Sequence, residues 1–179
     1  MATVSIQHAG IQESLDGPAA LAFLADHGVR YEYWDVSLAD RALRDRATLT
    51  DAEKSALIAP FMSSLNRLAH DYGYISHDLI VLNREATANL DELLVNFQRE
   101  HHHLEDEVRF ILAGEGVFTL TRDGDTFSVL VTPGDLISVP AKTRHWFTLT
   151  HRLNVKAIRL FQTEGGWQAI YQAEGTLTS

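Results

Sequence analysis

A mainly β chain, with helices packed outside the strands, is predicted by a change of pattern along the sequence. From Val108 onward, seven short segments rich in β-branched and aromatic residues alternate with turn signals, whereas between about Gly17 and Phe97 the apolar residues mostly recur at helical spacing. Many short antiparallel strands imply a sandwich or small barrel. At 179 residues, 45% of them hydrophobic, the chain is long enough for a substantial core and fits one domain.

The first element, Pro18-Ala19-Ala20-Leu21-Ala22-Phe23-Leu24, is a helix whose proline suits the first turn and which stops before Gly28. Tyr31 to Val36 is predicted as a strand. Thr50-x-x-Glu53 forms a capping box, and Leu57, Ile58, Phe61, Met62, Leu65 and Leu68 follow as one apolar stripe. Pro60 lies inside that stripe and, lacking a backbone donor, should kink the helix or divide it. Asn89 to Phe97 suggests one more helix. The predicted strands are Val108–Leu112, Gly116–Arg122, Thr126–Val131, Leu136–Val139, Trp146–Thr150, Val155–Phe161 and Trp167–Tyr171, with Asp123-Gly124 marking a hairpin.

Composition removes several classes of function. With no cysteine there are no disulfides, thiolate metal sites or cysteine nucleophile. Fifteen basic against 24 acidic residues, a formal charge of -9, disfavour nucleic acid and anionic membranes as partners. No stretch approaches a membrane span, and Met1 to Gln7 lacks the basic and apolar regions of a secretory signal, so a soluble, cytoplasmic protein is expected. No Gly-rich phosphate loop or serine elbow is present; Gly114-Glu115-Gly116 and Gly165-Gly166 are turns.

The run from Glu100 to Arg109, Glu-His-His-His-Leu-Glu-Asp-Glu-Val-Arg, carries the chemistry. In an extended chain His101 and His103 share a face while His102 looks away; Glu107 has the same parity, subject to a short loop through Leu104-Glu105-Asp106. Two imidazoles and a carboxylate without thiols suit iron(II), nickel, manganese or zinc. His8, His27, His70, His77 and His151 lack paired spacing and are expected in surface or local hydrogen-bonding roles.

The spacing of His101, His103, Glu107 and Gly114 resembles the first motif of the cupin superfamily, and Gly134, Pro140 and His145 match its second. The resemblance implies a cupin-type jelly-roll β-barrel with packed N-terminal helices, with His145 as a fourth ligand. Residues 1–179 would form a single cupin-type domain, 1–97 a mainly helical flank and 98–179 the main strands and metal motifs. Val95, Lys142 and Leu149 stand where the motifs have glycine, glycine and asparagine. These are turn and spacing positions, so they bear on subfamily more than on metal binding.

At finer resolution the chain resembles the acireductone dioxygenase family of methionine salvage. Glu100-His101-x-His103-x-x-Asp106-Glu107-Val108-Arg109-Phe110, Asp135 to Ala141, His145-Trp146-Phe147, Ala157-Ile158-Arg159 and Glu164-Gly165-Gly166-Trp167 carry the likeness. It extends upstream through Gly28 to Glu32 and Tyr72-Gly73-Tyr74. The resemblance implies one Fe(II) or Ni(II) per chain, with positions left open for an acireductone beside O2. The iron form would give formate and 2-keto-4-methylthiobutyrate; the nickel form would give formate, carbon monoxide and 3-methylthiopropionate. Arg109, two residues past Glu107, would stabilise the anionic substrate; the structural alternative is a surface ion pair with Glu105 or Glu107. Glu100 and Asp106 are expected to hydrogen-bond the ligating imidazoles or assist metal loading. Phe97, Phe147 and Arg159 resemble residues lining the substrate pocket, against the alternative that the aromatics are plain core. The chain is expected to be a monomer with a small-molecule partner. A quercetinase-like dioxygenase, a sugar isomerase or a noncatalytic metal- or ligand-binding cupin would share the ligand set.

Overall fold

The computed structural model describes residues 1–8 and 11–171. Its twelve strands form two antiparallel sheets. The larger contains β1 (Thr3–His8), β2 (Ile11–Leu15), β5 (His101–His102), β7 (Gly116–Arg122), β8 (Asp125–Val131), β10 (Arg144–Leu149) and β12 (Ile170–Tyr171), in the order β12-β5-β10-β7-β8-β1-β2. The smaller contains β3 (Arg30–Tyr33), β4 (Ser76–Leu82), β6 (Glu107–Gly114), β9 (Asp135–Val139) and β11 (Val155–Phe161), in the order β3-β9-β6-β11-β4. The helices are α1 (Gly17–Asp26), α2 (Arg41–Asp45), α3 (Asp51–Ile58), α4 (Met62–Tyr72) and α5 (Leu90–Phe97).

Strand alternation sorts the apolar residues into two cores. Phe118, Leu120, Phe127 and Val129 of the larger sheet face Ile111, Ile137, Val139 and Ala157 of the smaller sheet and fill the barrel. Val108, Phe110, Leu136, Ile158 and Leu160 look out of the smaller sheet onto Leu57 of α3 and Leu65 and Leu68 of α4. Phe110 lies between Trp34 and Phe61, each ring centroid 4.8 Å away.

The capping box forms: Thr50 and Glu53 each bind the other's backbone N–H. Pro60 does divide the apolar stripe, since α3 ends at Ile58, a 3₁₀ turn covers Ala59–Phe61, and α4 continues from Met62. Asp123 and Gly124 both take positive φ, 52° and 88°, as a tight hairpin between β7 and β8 requires.

Several boundaries are corrected. The strand expected over Tyr31–Val36 runs Arg30–Tyr33, because Asp35 accepts a hydrogen bond from Ser37 N–H and starts a 3₁₀ turn over Val36–Leu38. Trp167–Tyr171 is strand only at Ile170–Tyr171, and Trp146–Thr150 begins earlier and ends at Leu149. The N-terminal region also contributes four strands rather than one. Strand β4 escaped because Leu79-Ile80-Val81-Leu82 is a continuous apolar run that periodicity cannot divide between helix and strand. Strand β2 is an edge strand with four of its five residues exposed, so it has no apolar alternation to read.

Candidate metal centre

The ligand cluster forms where the chain crosses between sheets. His101 belongs to β5 and pairs directly with His145 on β10, both in the larger sheet. Glu107 opens β6 in the smaller sheet, and His103 lies on the crossover between them. The ligand atoms of His101, His103, Glu107 and His145 all lie within 4.8 Å of one another, and all four residues are buried. The same-face expectation for His101 and His103 holds here, and His102 is not in the cluster.

Acidic side chains pin the crossover. Glu105 accepts hydrogen bonds from Gln162 N–H at 2.7 Å and Thr163 N–H at 3.0 Å. Asp106 accepts from Ala141 N–H at 3.0 Å, and the His103 carbonyl accepts from Lys142 N–H. Neither Glu100 nor Asp106 binds a ligating imidazole, which corrects that part of the expectation; Glu100 instead meets Arg144 at 3.2 Å. Backbone carbonyls take the imidazole hydrogen bonds instead, two from residues two positions upstream of His101 and His145 and one from the distant Gln168. His101 Nδ1 donates to Arg99 O at 2.6 Å, His103 Nδ1 to Gln168 O at 2.9 Å and His145 Nδ1 to Thr143 O at 2.8 Å.

These carbonyls decide the tautomer. A carbonyl can only accept, so each Nδ1 carries a proton and each neutral ring presents its Nε2 lone pair inward. Yet Nε2 of His103 and Nε2 of His145 both face Glu107 Oε2, at 3.0 and 2.9 Å. Two lone pairs converging on a buried carboxylate repel it unless the rings are protonated or a cation stands between them. Burial opposes protonation of His101 and pushes its pKa down. At His103 burial is outweighed by the hydrogen bond and charge of Glu107, and the pKa is raised. Burial alone would raise the Glu107 pKa, but the Arg109 charge and the two imidazoles hold it well below the usual carboxylate range. A divalent ion fits this donor set, for it would meet three lone pairs and one anion while satisfying all of them.

Arg109 donates from Nε to Glu107 Oε1 at 2.8 Å, so the ion pair considered from sequence exists, buried rather than on the surface. Its Nη1 is buried and has no hydrogen-bond partner among the described residues. The guanidinium carbon lies 4.8 Å from the Phe147 ring centre and 5.1 Å from that of Trp167. A cavity of about 630 Å³ opens beside the cluster, lined by Arg109 and by Phe97, Phe147 and Arg159, the three residues expected there. Gly116 makes room for this wall, since a Cβ at that position would run into the Phe147 ring. Trp167, Asp78 and Gln168 were missed as contributors. Trp167 follows two glycines and carried a signal, while Asp78 and the Gln168 carbonyl carried none.

A buried set of three imidazoles and one carboxylate at the mouth of a two-sheet jelly roll defines a metal-binding protein of the cupin type. A family model described as the ARD/ARD' family matches residues 33–169. The chain belongs to that family. Acireductone dioxygenase of Exiguobacterium sibiricum is 47% identical over 175 residues, 97% of this chain and 97% of its own. Acireductone dioxygenase of Bacillus pumilus is 46% identical over 154 residues, covering 86% and 87%. A solved structure of acireductone dioxygenase from Bacillus anthracis with a cadmium ion in its active centre superposes with a TM-score of 0.90 at 43% identity, covering 96% of this chain and 98% of that one.

Proposed function

We propose that this metal-dependent dioxygenase cleaves an acireductone, 1,2-dihydroxy-3-keto-5-methylthiopentene, with O2. The observation that carries the reading is the convergence of four buried ligand atoms beside a cavity whose wall holds an unpartnered guanidinium nitrogen. His101, His103, Glu107 and His145 would hold one Fe(II) or Ni(II), and the cadmium ion in the Bacillus anthracis relative supports a divalent cation there. Such an ion, when bound, supplies a Lewis acid for the enediol oxygens and a meeting point with dioxygen.

The chain's own residues do the rest. Arg109 is held by Glu107 and turns Nη1 free, so that it can donate to an oxygen whose negative charge grows during reaction. Phe97, Phe147 and Trp167 bind the apolar methylthio tail and exclude water, which strengthens the donation from Arg109. Glu105 and Asp106 keep the crossover from shifting and so hold His103 and Glu107 in place. A role for Glu100 or Asp106 in metal loading is retained as part of this proposal, as are a monomeric state, a cytoplasmic location, one domain over residues 1–179 and a place in methionine salvage. No helix among the described residues is long and apolar enough to cross a membrane.

The test is oxygen uptake by metal-stripped protein reloaded separately with iron(II) and nickel and given fresh acireductone, with headspace carbon monoxide followed in both. Uptake in both, with carbon monoxide from nickel alone, is expected. Absence of metal-dependent uptake would reject the substrate and favour another cupin activity on the same ligands.

A further inference from the structure

One face of the smaller sheet carries a row of three charges across three strands. Arg109 on β6 pairs in register with Arg159 on β11, which pairs in register with Asp78 on β4. Residues directly opposite on neighbouring strands share a face, and like charges so placed repel. Each arginine here has its own acid. Glu107 takes Arg109 through Nε, whereas Asp78 takes Arg159 through Nε at 2.8 Å and Nη2 at 2.5 Å. The second pair is bidentate, which fixes the plane of the guanidinium as well as its position. It engages one edge of Arg159 and leaves Nη1 on the other. Trp167 lies beside both arginines, with its ring centre 5.1 Å from Cζ of Arg109 and 5.5 Å from Cζ of Arg159. Arg109, Arg159, Asp78 and Trp167 all line the cavity beside the metal cluster.

We propose that Asp78 is a positioning residue for substrate: it clamps one edge of Arg159 so that the free edge, together with Arg109, grips the oxyanion of a bound enediolate. The inference rests on the acireductone reading. Without Asp78, Arg159 would be driven from Arg109 by like charge or drawn toward Glu107 in competition with it. Arg159 touches none of the four metal-centre residues through a hydrogen bond or ion pair among the described residues, so its loss weakens binding more than the chemical step. The signature is therefore a change in KM with kcat largely kept.

The experiment uses the metal-loaded full chain as wild type, Asp78→Asn, Asp78→Glu, Arg159→Met and the Asp78→Asn/Arg159→Met double variant. Oxygen uptake is measured against acireductone concentration, and anaerobic titration gives the affinity for the same compound. Asp78→Asn is expected to raise both KM and the anaerobic Kd about tenfold while kcat changes by less than about threefold. Asp78→Glu should recover most of the loss, and the double variant should be no worse than Arg159→Met, because both changes remove one device. If Asp78→Asn does not fold, Arg159→Met must show the same split of KM from kcat. An active wild type with Asp78→Asn unchanged in KM and Kd, or with additive losses in the double variant, overturns the proposal alone. A wild type that consumes no oxygen overturns the acireductone reading and this proposal with it.

Discussion

The two faces of the smaller sheet bury charge in opposite ways. On the barrel face β6 buries Glu107 and Arg109 as a hydrogen-bonded pair of opposite charge, while Arg159 on β11 is only partly buried and pairs with Asp78. On the outer face the same two strands present Val108, Phe110, Ile158 and Leu160 beneath the helices, together with Lys156, which is 1% exposed. Burial pushes the Lys156 pKa down, and only the charge of Asp45 opposes it. Among the described residues no carboxylate pairs with it directly. Burying a charge costs several kcal/mol unless geometry repays it. On the barrel face partners repay it and leave selected atoms free for a ligand, whereas on the outer face the cost is merely carried.

The comparison breaks most completely at a ligand. His145→Ala should abolish both metal retention and oxygen uptake, measured by metal analysis and turnover, and a variant keeping both would remove His145 from the centre. Stripping the metal from the wild type should lower its melting temperature, since a ligand that binds only the folded chain at a hundred times its Kd adds about 2.7 kcal/mol.

On the outer face the largest effect belongs to packing. Phe110 is fully buried between Trp34 and Phe61, so Phe110→Ala should cost about 3–5 kcal/mol in denaturant unfolding. Its turnover per folded molecule should stay near wild type; a specific collapse of kcat would show that the two faces are coupled.

Arg109→Met tests the barrel face without removing a ligand. Loss of one donor aimed at developing charge should lower kcat by roughly 10²–10³ with metal content kept. Unchanged kcat would confine Arg109 to neutralising Glu107.

The smallest effect has the opposite sign. Lys156→Met should stabilise the chain at neutral pH by about 1 kcal/mol, because an apolar side chain of similar length avoids the buried charge. The folded-state pKa lies below the ordinary 10.5, so between those two values the unfolded chain binds more protons and wild-type stability rises with pH. The advantage of Lys156→Met should accordingly shrink as pH is raised toward 10.5 in a series of denaturant melts. A gap that widens would mean that the lysine is stabilised by a partner.

What the sequence determined by itself is local. Side-chain identity sets donor chemistry, a spacing of two residues puts His101 and His103 on one side, and Pro60, the Thr50-Glu53 box and Asp123-Gly124 act within a turn of their own positions. The strand character of β6 and β11 was equally legible, because β-branched and aromatic content needs no partner to be seen. The tertiary structure alone decided the contacts between distant segments. Gln168 supplies the carbonyl that sets the His103 tautomer from 65 residues away, and Asp78 reaches Arg159 across 81. Asp106 looked like a candidate for the imidazoles and Glu105 for Arg109, but their carboxylates are claimed by main-chain N–H groups, Ala141 for Asp106 and Gln162 and Thr163 for Glu105. A charged side chain announces that it needs a partner, but which group satisfies it depends on which strand lies alongside, and sheet register is a property of the folded chain.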